Sequence, residues 1–320
     1  MILKLEPQTL ANEFSQLGIH PASEAIFLHK SEIVPLKILD IRTPAANIIK
    51  QEMLACGGDC AIPAGCVVCA EERVDVILLG TYKHYARLLE KLTQMPYFGM
   101  AGIKSELMAI LDAPIPQTIL SDGRTLNYDK MLVMGILNIT PDSFYAGSRV
   151  PQLEQVVEKA GEMLRQGAAV LDIGGESTRP GSDAVTADEE QKRVVPVIKA
   201  LKERYPACVI SIDTYRASTA EAALAAGADI INDVTAMEGD AAMSDLVVGS
   251  KVPIILMHMR GTPKNMQQNC EYKNVVTEVA AYLLQRAKVL ENRGVAKEKI
   301  IFDPGIGFAK NIEQNLQLMQ

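Results

Sequence analysis

Between residues 130 and 305, six apolar runs of strand length each end in, or close around, a polar side chain: LVMGILN at Asn138, AVLDIGG around Asp172, CVISIDT at Asp213, DIINDV around Asn232, VPIILMH at His258 and KIIFDPG at Asp303. Helical segments separate them. Apolar runs without strict alternation suit strands buried on both faces, and strand–helix alternation suits a parallel sheet with right-handed crossovers. In such folds ligands meet the carboxyl ends of the strands. A single Asp or Asn there is as well explained by a helix cap or a turn. The sixfold repetition is what places chemistry at the strand ends.

At 320 residues the chain exceeds a usual single domain, so one large and one smaller domain are expected. A net charge of -7 argues against a general nucleic-acid or membrane-surface binder, because those partners select a basic face. The amino terminus, MILKLEPQTLANEF, lacks a continuous apolar segment after a basic start, and no apolar stretch reaches bilayer length. The expected location is therefore the cytoplasm, with small molecules as partners and neither nucleic acid nor membrane. Cys56, Cys60, Cys66 and Cys69 lie close together, but only five residues separate Cys60 from Cys66, which cramps a zinc site built from two pairs. Reduced thiols packed as small apolar groups are the expected state, with metal as the outside alternative.

Residues 1–112 read as a small α/β domain, with candidate strands EAIFLHK, VPLKILDI and VDVILLGTY and a helix over residues 84–92. Gly57, Gly58 and Gly65 read as turn positions, since no Lys-Ser/Thr follows them as in a phosphate cradle. Residues 113–130 form a linker and hairpin: Pro114 and Pro116 mark the boundary, and QTILSDGRTLNY alternates around the Asp122-Gly123 turn pair. That hairpin is expected to close the amino-terminal face of a barrel formed by residues 131–320.

Two loops after the apolar runs are distinctive. In NITPDSFYAGS, residues 138–148, Asn138 ends its strand and Pro141 stiffens the exit, while Phe144 and Tyr145 fall in a solvent-side loop that suits a lid over a flat ligand. In GGESTRPG, residues 174–181, the glycines allow close backbone approach, Arg179 offers a planar fork for a carboxylate or phosphate, and Thr178 a hydroxyl.

Taken in order, the segments across residues 138–310, including LMHMRGTPKNMQ and FDPGIGFAK, resemble dihydropteroate synthase. The resemblance implies a (β/α)8 TIM barrel, with six β/α units visible here, preceded by a small α/β domain that some members carry. It implies a transferase of folate biosynthesis that condenses 6-hydroxymethyl-7,8-dihydropterin diphosphate with para-aminobenzoate, giving 7,8-dihydropteroate and pyrophosphate. By the same resemblance Asp213, Asn232 and Asp303 hold the pterin edge with Met257 near the ring, and Lys310 lies by the pterin pocket. Phe144, Thr178 and Arg179 are the residues implied in catalysis, and Thr178, Arg179, Pro180 and Phe308 shape the para-aminobenzoate site. Asn138 resembles a ligand of Mg2+, which would stabilise departing pyrophosphate. A homodimer is implied as well.

Two departures stand out. Tyr145-Ala146-Gly147 occupies the places where the family continues with Ser-Asp-Gly, so Ala146 is expected to alter closure of the lid. The family's Ser-Arg-Lys and Arg-x-His segments, which follow its seventh and eighth strands, are not among these residues, and the native polypeptide is expected to continue past Gln320. Two further readings stay open. One is a methyltetrahydrofolate-type pterin methyltransferase, which has no use for the two distinctive loops; the other is a non-catalytic pterin-binding module.

Overall fold

The computed structural model describes residues 10–17, 20, 27–28, 30–112, 115–139, 149–176, 185–261 and 270–319. The chain divides into two compact units, Met1–Pro114 and Ile115–Gln320. In the first, α1 (Leu10–Leu17) is followed by β1 (Val34–Arg42), α2 (Thr43–Cys56), β2 (Asp59–Ala61), β3 (Arg73–Gly80), α3 (Tyr82–Leu92) and α4 (Met100–Leu111). The strands form an antiparallel sheet in the order β1-β3-β2. β3 alternates exposed and buried residues along its length, as expected of a sheet packed on one face. Pro44 in its first turn starts α2, and Gly57 ends it in the left-handed conformation, φ 93°. Gly58 follows where a side chain would meet the Leu79 carbonyl. Gly57 and Gly58 are thus turn positions, while Gly65 lies in a single 3-10 turn, Ala64–Cys66.

The run EAIFLHK is not a strand in its described part: Phe27, Leu28 and Lys30 are helical, and the Phe27 ring packs 5.8 Å from that of Phe14 on α1. Short apolar runs do not distinguish the two states by periodicity, and here helix packing decides. Cys56, Cys60 and Cys66 are buried in the core of this unit beside Met53, Leu78 and Tyr85, while Cys69 is exposed. Burial pushes the Cys60 thiol up to about 11, which keeps it protonated and unreactive. Among the described residues no group of three or more His, Cys, Asp or Glu side chains is gathered to hold a metal.

The second unit opens with a hairpin, β4 (Gln117–Ile119) and β5 (Thr125–Asn127). Six strand–helix units follow: β6 (Val133–Asn138), α5 (Arg149–Arg165), β7 (Ala168–Gly174), α6 (Ala187–Arg204), β8 (Val209–Asp213), α7 (Ala217–Ala226), β9 (Ile230–Asp233), α8 (Met243–Ser250), β10 (Ile254–Met257), α9 (Val275–Glu291), β11 (Ile300–Asp303) and α10 (Ile312–Leu318). The six strands pair in parallel and in chain order, which is the wall of a (β/α)8 barrel. The helices start where the sequence supplies caps. Thr186 accepts from Glu189 N at α6, Asn274 from Thr277 N at α9, and Asn311 exchanges bonds with Gln314 at α10. No described helix is long and apolar enough to cross a membrane.

Alternate residues face opposite ways along each strand. One set, Leu171, Ile173, Ile210, Ile212, Ile231, Ile254 and Leu256, packs with the helices in the large outer core. The other begins, at the amino ends, with Val170, Val209, Ile230 and Ile255, and Leu120 of the hairpin turn packs among them. The hairpin thus sets Leu120 against the amino ends of these strands. Arg124 fixes it there, donating to the Ala207 carbonyl at 2.8 Å and lying 2.5 Å from Asp229 at the start of β9.

Candidate active site

Moving up the inward-facing positions, the apolar floor gives way to polar groups. β7 continues from Val170 to Asp172 and Gly174, β8 from Val209 to Ser211 and Asp213, β9 from Ile230 to Asn232, β10 from Ile255 to Met257, and β11 from Ile301 to Asp303. The register sets Gly174 beside Asp213, Asp213 beside Asn232, and Met257 beside Asp303. Four strands, β7, β8, β9 and β11, thus deliver one patch of acceptors at their carboxyl ends, with Met257 of β10 among them.

Asn232 Nδ2 donates to Asp172 Oδ2 at 3.1 Å, which turns the Asn232 amide oxygen away from Asp172. That oxygen and Asp172 Oδ1 are both buried and have no hydrogen-bond partner. Buried acceptors left unpaired are destabilising and point to a ligand that donates to them. Asp303 uses one oxygen to accept from Gly305 N at 2.7 Å, and its carbonyl accepts from His258 N at 3.0 Å. The neighbouring Asp233 faces the other way and closes the turn after β9, accepting from Thr235 N, Thr235 Oγ1 and Met237 N. The carboxylates crowd one another. Burial pushes Asp172 up to about 6 against the opposing effect of the neighbouring Ser211 hydroxyl and of donation from Asn232, with Asp303 nearby adding to the rise. Burial and the charges of Asp172, Glu190, Asp233 and Glu176 hold Asp213 well above the usual carboxylate range. Such a patch favours a planar, donor-rich or cationic guest.

Gly174 matters to the rim. A side chain there would sit 3.3 Å from both Asn138 Oδ1 and Asp213 Oδ2, so its absence leaves those two oxygens an open space to share. Met257 is buried beside the acceptor patch, and Phe308 is half-buried in the loop after β11. Lys310 has a structural task that its sequence context did not disclose. Its ammonium is buried and bonded to His258 Nδ1 at 3.1 Å and to the carbonyls of Gly305 at 3.0 Å, Phe308 at 2.8 Å and His258 at 3.2 Å. It ties the exit loops of β10 and β11 together. Burial lowers it to about 8 and lowers His258 to about 4, so the imidazole stays neutral and can accept from the ammonium. Gly305 closes this arrangement at φ 68°, where a Cβ would fall 2.1 Å from the His258 carbonyl oxygen. Gly305→Ala should therefore destabilise the protein by about 2–3 kcal/mol, measured by denaturant unfolding, and weaken ligand binding through Asp303.

Phe144, Thr178, Arg179 and Pro180, with Ala146, lie outside the described residues. Of the remaining residues singled out in the sequence, Asp213, Asn232, Met257 and Asp303 are brought together, and Asn138 stands at the rim. Asp172 belongs to the patch too. The signal for it was its place two residues before Gly174 on an otherwise apolar strand, which puts it on the same face one step deeper.

Residues 134–320, more than half of the chain, match the family model for pterin binding enzymes. The chain belongs to the pterin-binding enzyme family. Within it, the chain is 41% identical over 207 residues to a dihydropteroate synthase of Synechocystis, covering 65% of this chain and 70% of that protein. It is 37% identical over 286 residues to a probable bifunctional folylpolyglutamate synthase/dihydropteroate synthase of Haloferax volcanii. That alignment covers 86% of this chain but only 33% of the relative, so the chain spans about a third of that protein's length. Among solved structures of the family, Xanthomonas albilineans dihydropteroate synthase with 4-aminobenzoic acid superposes with a TM-score of 0.58 at 41% identity, covering 64% of this chain and 72% of that one.

Proposed function

We propose that this chain carries the dihydropteroate synthase reaction, joining a dihydropterin diphosphate to 4-aminobenzoate with loss of pyrophosphate. The observation that carries the reading is the buried acceptor patch, with Asn232 Oδ1 and Asp172 Oδ1 unpaired on the wall that also carries Asp213 and Asp303. A pterin edge is rich in N–H donors, and buried acceptors reject heterocycles that lack them. Family membership and the synthase relatives support the same assignment. The reacting carbon lies outside the ring. The carboxyl groups of Asp213 and Asp303 favour positive charge developing on the pterin as its diphosphate departs, so the patch acts by electrostatics and needs no protein nucleophile.

The rim suits magnesium. Asn138 and Asp213 present hard oxygens across Gly174, and this cation takes one or two protein oxygens while keeping water and phosphate ligands. When bound it would neutralise charge on the departing pyrophosphate. Thr178, Arg179 and Pro180, joined by Phe308, are assigned to the arylamine, and Phe144 to the loop that excludes water from the cationic pterin.

The test uses the full-length natural polypeptide. Pyrophosphate release should require both the pterin diphosphate and 4-aminobenzoate, and Asp303→Asn should lower kcat/KM about thirtyfold, the loss of one charge-assisted contact. Release independent of the arylamine, or methyl transfer from methyltetrahydrofolate in its place, would overturn the assignment.

A further inference from the structure

The Lys310 ammonium has three protons, and four acceptors converge on it: His258 Nδ1 and the carbonyls of Gly305, His258 and Phe308. With 3% of its surface exposed, Lys310 has no proton left to give a diphosphate. Two of the residues it holds also hold Asp303. Gly305 N donates to Asp303 Oδ1 at 2.7 Å, while the Gly305 carbonyl takes the ammonium at 3.0 Å. His258 N donates to the Asp303 carbonyl at 3.0 Å, while the His258 ring and carbonyl take the ammonium at 3.1 and 3.2 Å. The turn that delivers the lysine is shaped for this task. Ala309 is fully buried in the left-handed region, φ 53°, with its carbonyl accepting from the Tyr272 hydroxyl at 3.1 Å. A residue with a Cβ keeps that conformation only where the contacts around it over-determine it.

We infer that Lys310 is a positioning residue for the pterin, which sets the Asp303 carboxyl through Gly305 and His258 and does not touch the substrate's phosphates. The binding half of this inference rests on the pterin reading proposed above. The strands alone do not fix this carboxyl, because β10 and β11 both end at the pair Met257 and Asp303. Past that pair the two exits are joined by the His258–Asp303 backbone bond and by the ammonium. Lysine suits the task because a compact ammonium on a flexible stem can aim its donors at acceptors in several directions, whereas a glutamine amide offers two donors in one plane. With Oδ1 committed to Gly305 N, the carboxyl cannot rotate freely, and its plane is set before a guest arrives.

The deciding variant is Lys310→Gln in the full-length natural polypeptide, which keeps two donors for the converging carbonyls. Kd should rise about tenfold for the dihydropterin diphosphate, and by the same factor for the dihydropterin that carries a hydroxyl in place of the diphosphate, since both offer one ring edge to Asp303. In an Asp303→Asn background the same change should raise Kd by less than about threefold, as for two members of one chain of contacts. The Gly305 amide should exchange about tenfold faster in the variant. The unaltered polypeptide gives a reading that needs no variant to fold: its Gly305 amide should be protected at least about a hundredfold relative to an unfolded chain. A loss confined to the diphosphate would make Lys310 a phosphate ligand, and an undiminished loss in the Asp303→Asn background would make it a general support of the fold. Either result, or an unprotected Gly305 amide in the unaltered polypeptide, would overturn the inference. If the unaltered polypeptide binds neither pterin, the proposed reaction fails, while Gly305 exchange still decides whether Lys310 holds the partner of Asp303.

Discussion

Asp213→Asn should make the unliganded protein more stable while cutting kcat/KM about a hundredfold, the size of a lost charge-assisted hydrogen bond to a buried partner. Asp213 ends β8 where burial and the charges of Asp172, Glu190, Asp233 and Glu176 all oppose its ionisation. An amide in place of this carboxyl removes the opposed charge, so Asp213→Asn should raise Tm, and the gain should grow as pH rises and the wild-type carboxyl is forced to ionise. The same crowding fixes a pH dependence. Asp172 titrates at about 6 in the folded chain, against roughly 4 when unfolded. Because the folded state holds the proton more tightly, this group's contribution is complete below about pH 4 and is lost as pH rises through about 6. Thermal unfolding of the wild type and Asp172→Asn across pH 4–7 isolates that term, and the variant should show the flatter profile. A ligand that donates to the ionised carboxylates reverses the preference, so pterin binding near pH 5.5 should release protons. Calorimetry in two buffers of different ionisation enthalpy reads that release directly. Equal stability of Asp213→Asn and wild type at pH 7 would mean that the acids are not in conflict.

Much of this site was legible in the sequence because it lies on strands. Asp213, Asn232 and Asp303 each follow an apolar run, and the twofold periodicity of a strand is enough to set all three on the inner wall once the strands are parallel and in order. The hairpin was legible for a related reason: Asp122-Gly123 forces a tight turn, and Leu120 beside it has an apolar face to fill. What stayed hidden depends on contacts between segments distant in sequence. Lys310 looks like a free cation in FAK, and only the approach of the β10 and β11 exits wraps it in His258, Gly305 and Phe308. Arg216 resembles any exposed arginine before a helix until Glu190, 26 residues away, is seen buried against it. EAIFLHK misled because a short apolar stretch carries no period of its own.

At the opposite end of the barrel the same chemistry should have the opposite effect. Asp229 immediately precedes β9 with 7% of its surface exposed, and its two oxygens hold Arg124 at 2.5 Å, Lys202 at 2.7 Å and the Ile210 amide at 2.8 Å. Asp229→Ala leaves two cations and a buried N–H without their acceptor and should destabilise the protein by about 3–5 kcal/mol. Asp229→Asn keeps an acceptor and should lose roughly half as much. Because Arg124 also pins the hairpin, the loosened end should show in faster amide exchange over residues 117–127 and in exposure of Leu120, Val170 and Val209. Activity of the protein that remains folded should change little, since Asp229 lies on the amino-terminal face, and in barrels that face supports stability while the carboxyl face does the chemistry. The two aspartates thus separate by environment alone. Asp213 is surrounded by like charge and waits for a ligand, whereas Asp229 is surrounded by cations that the fold itself supplies. Equal losses in Asp229→Ala and Asp229→Asn would show that the negative charge, and not the neutral acceptor that Asn keeps, holds the hairpin in place.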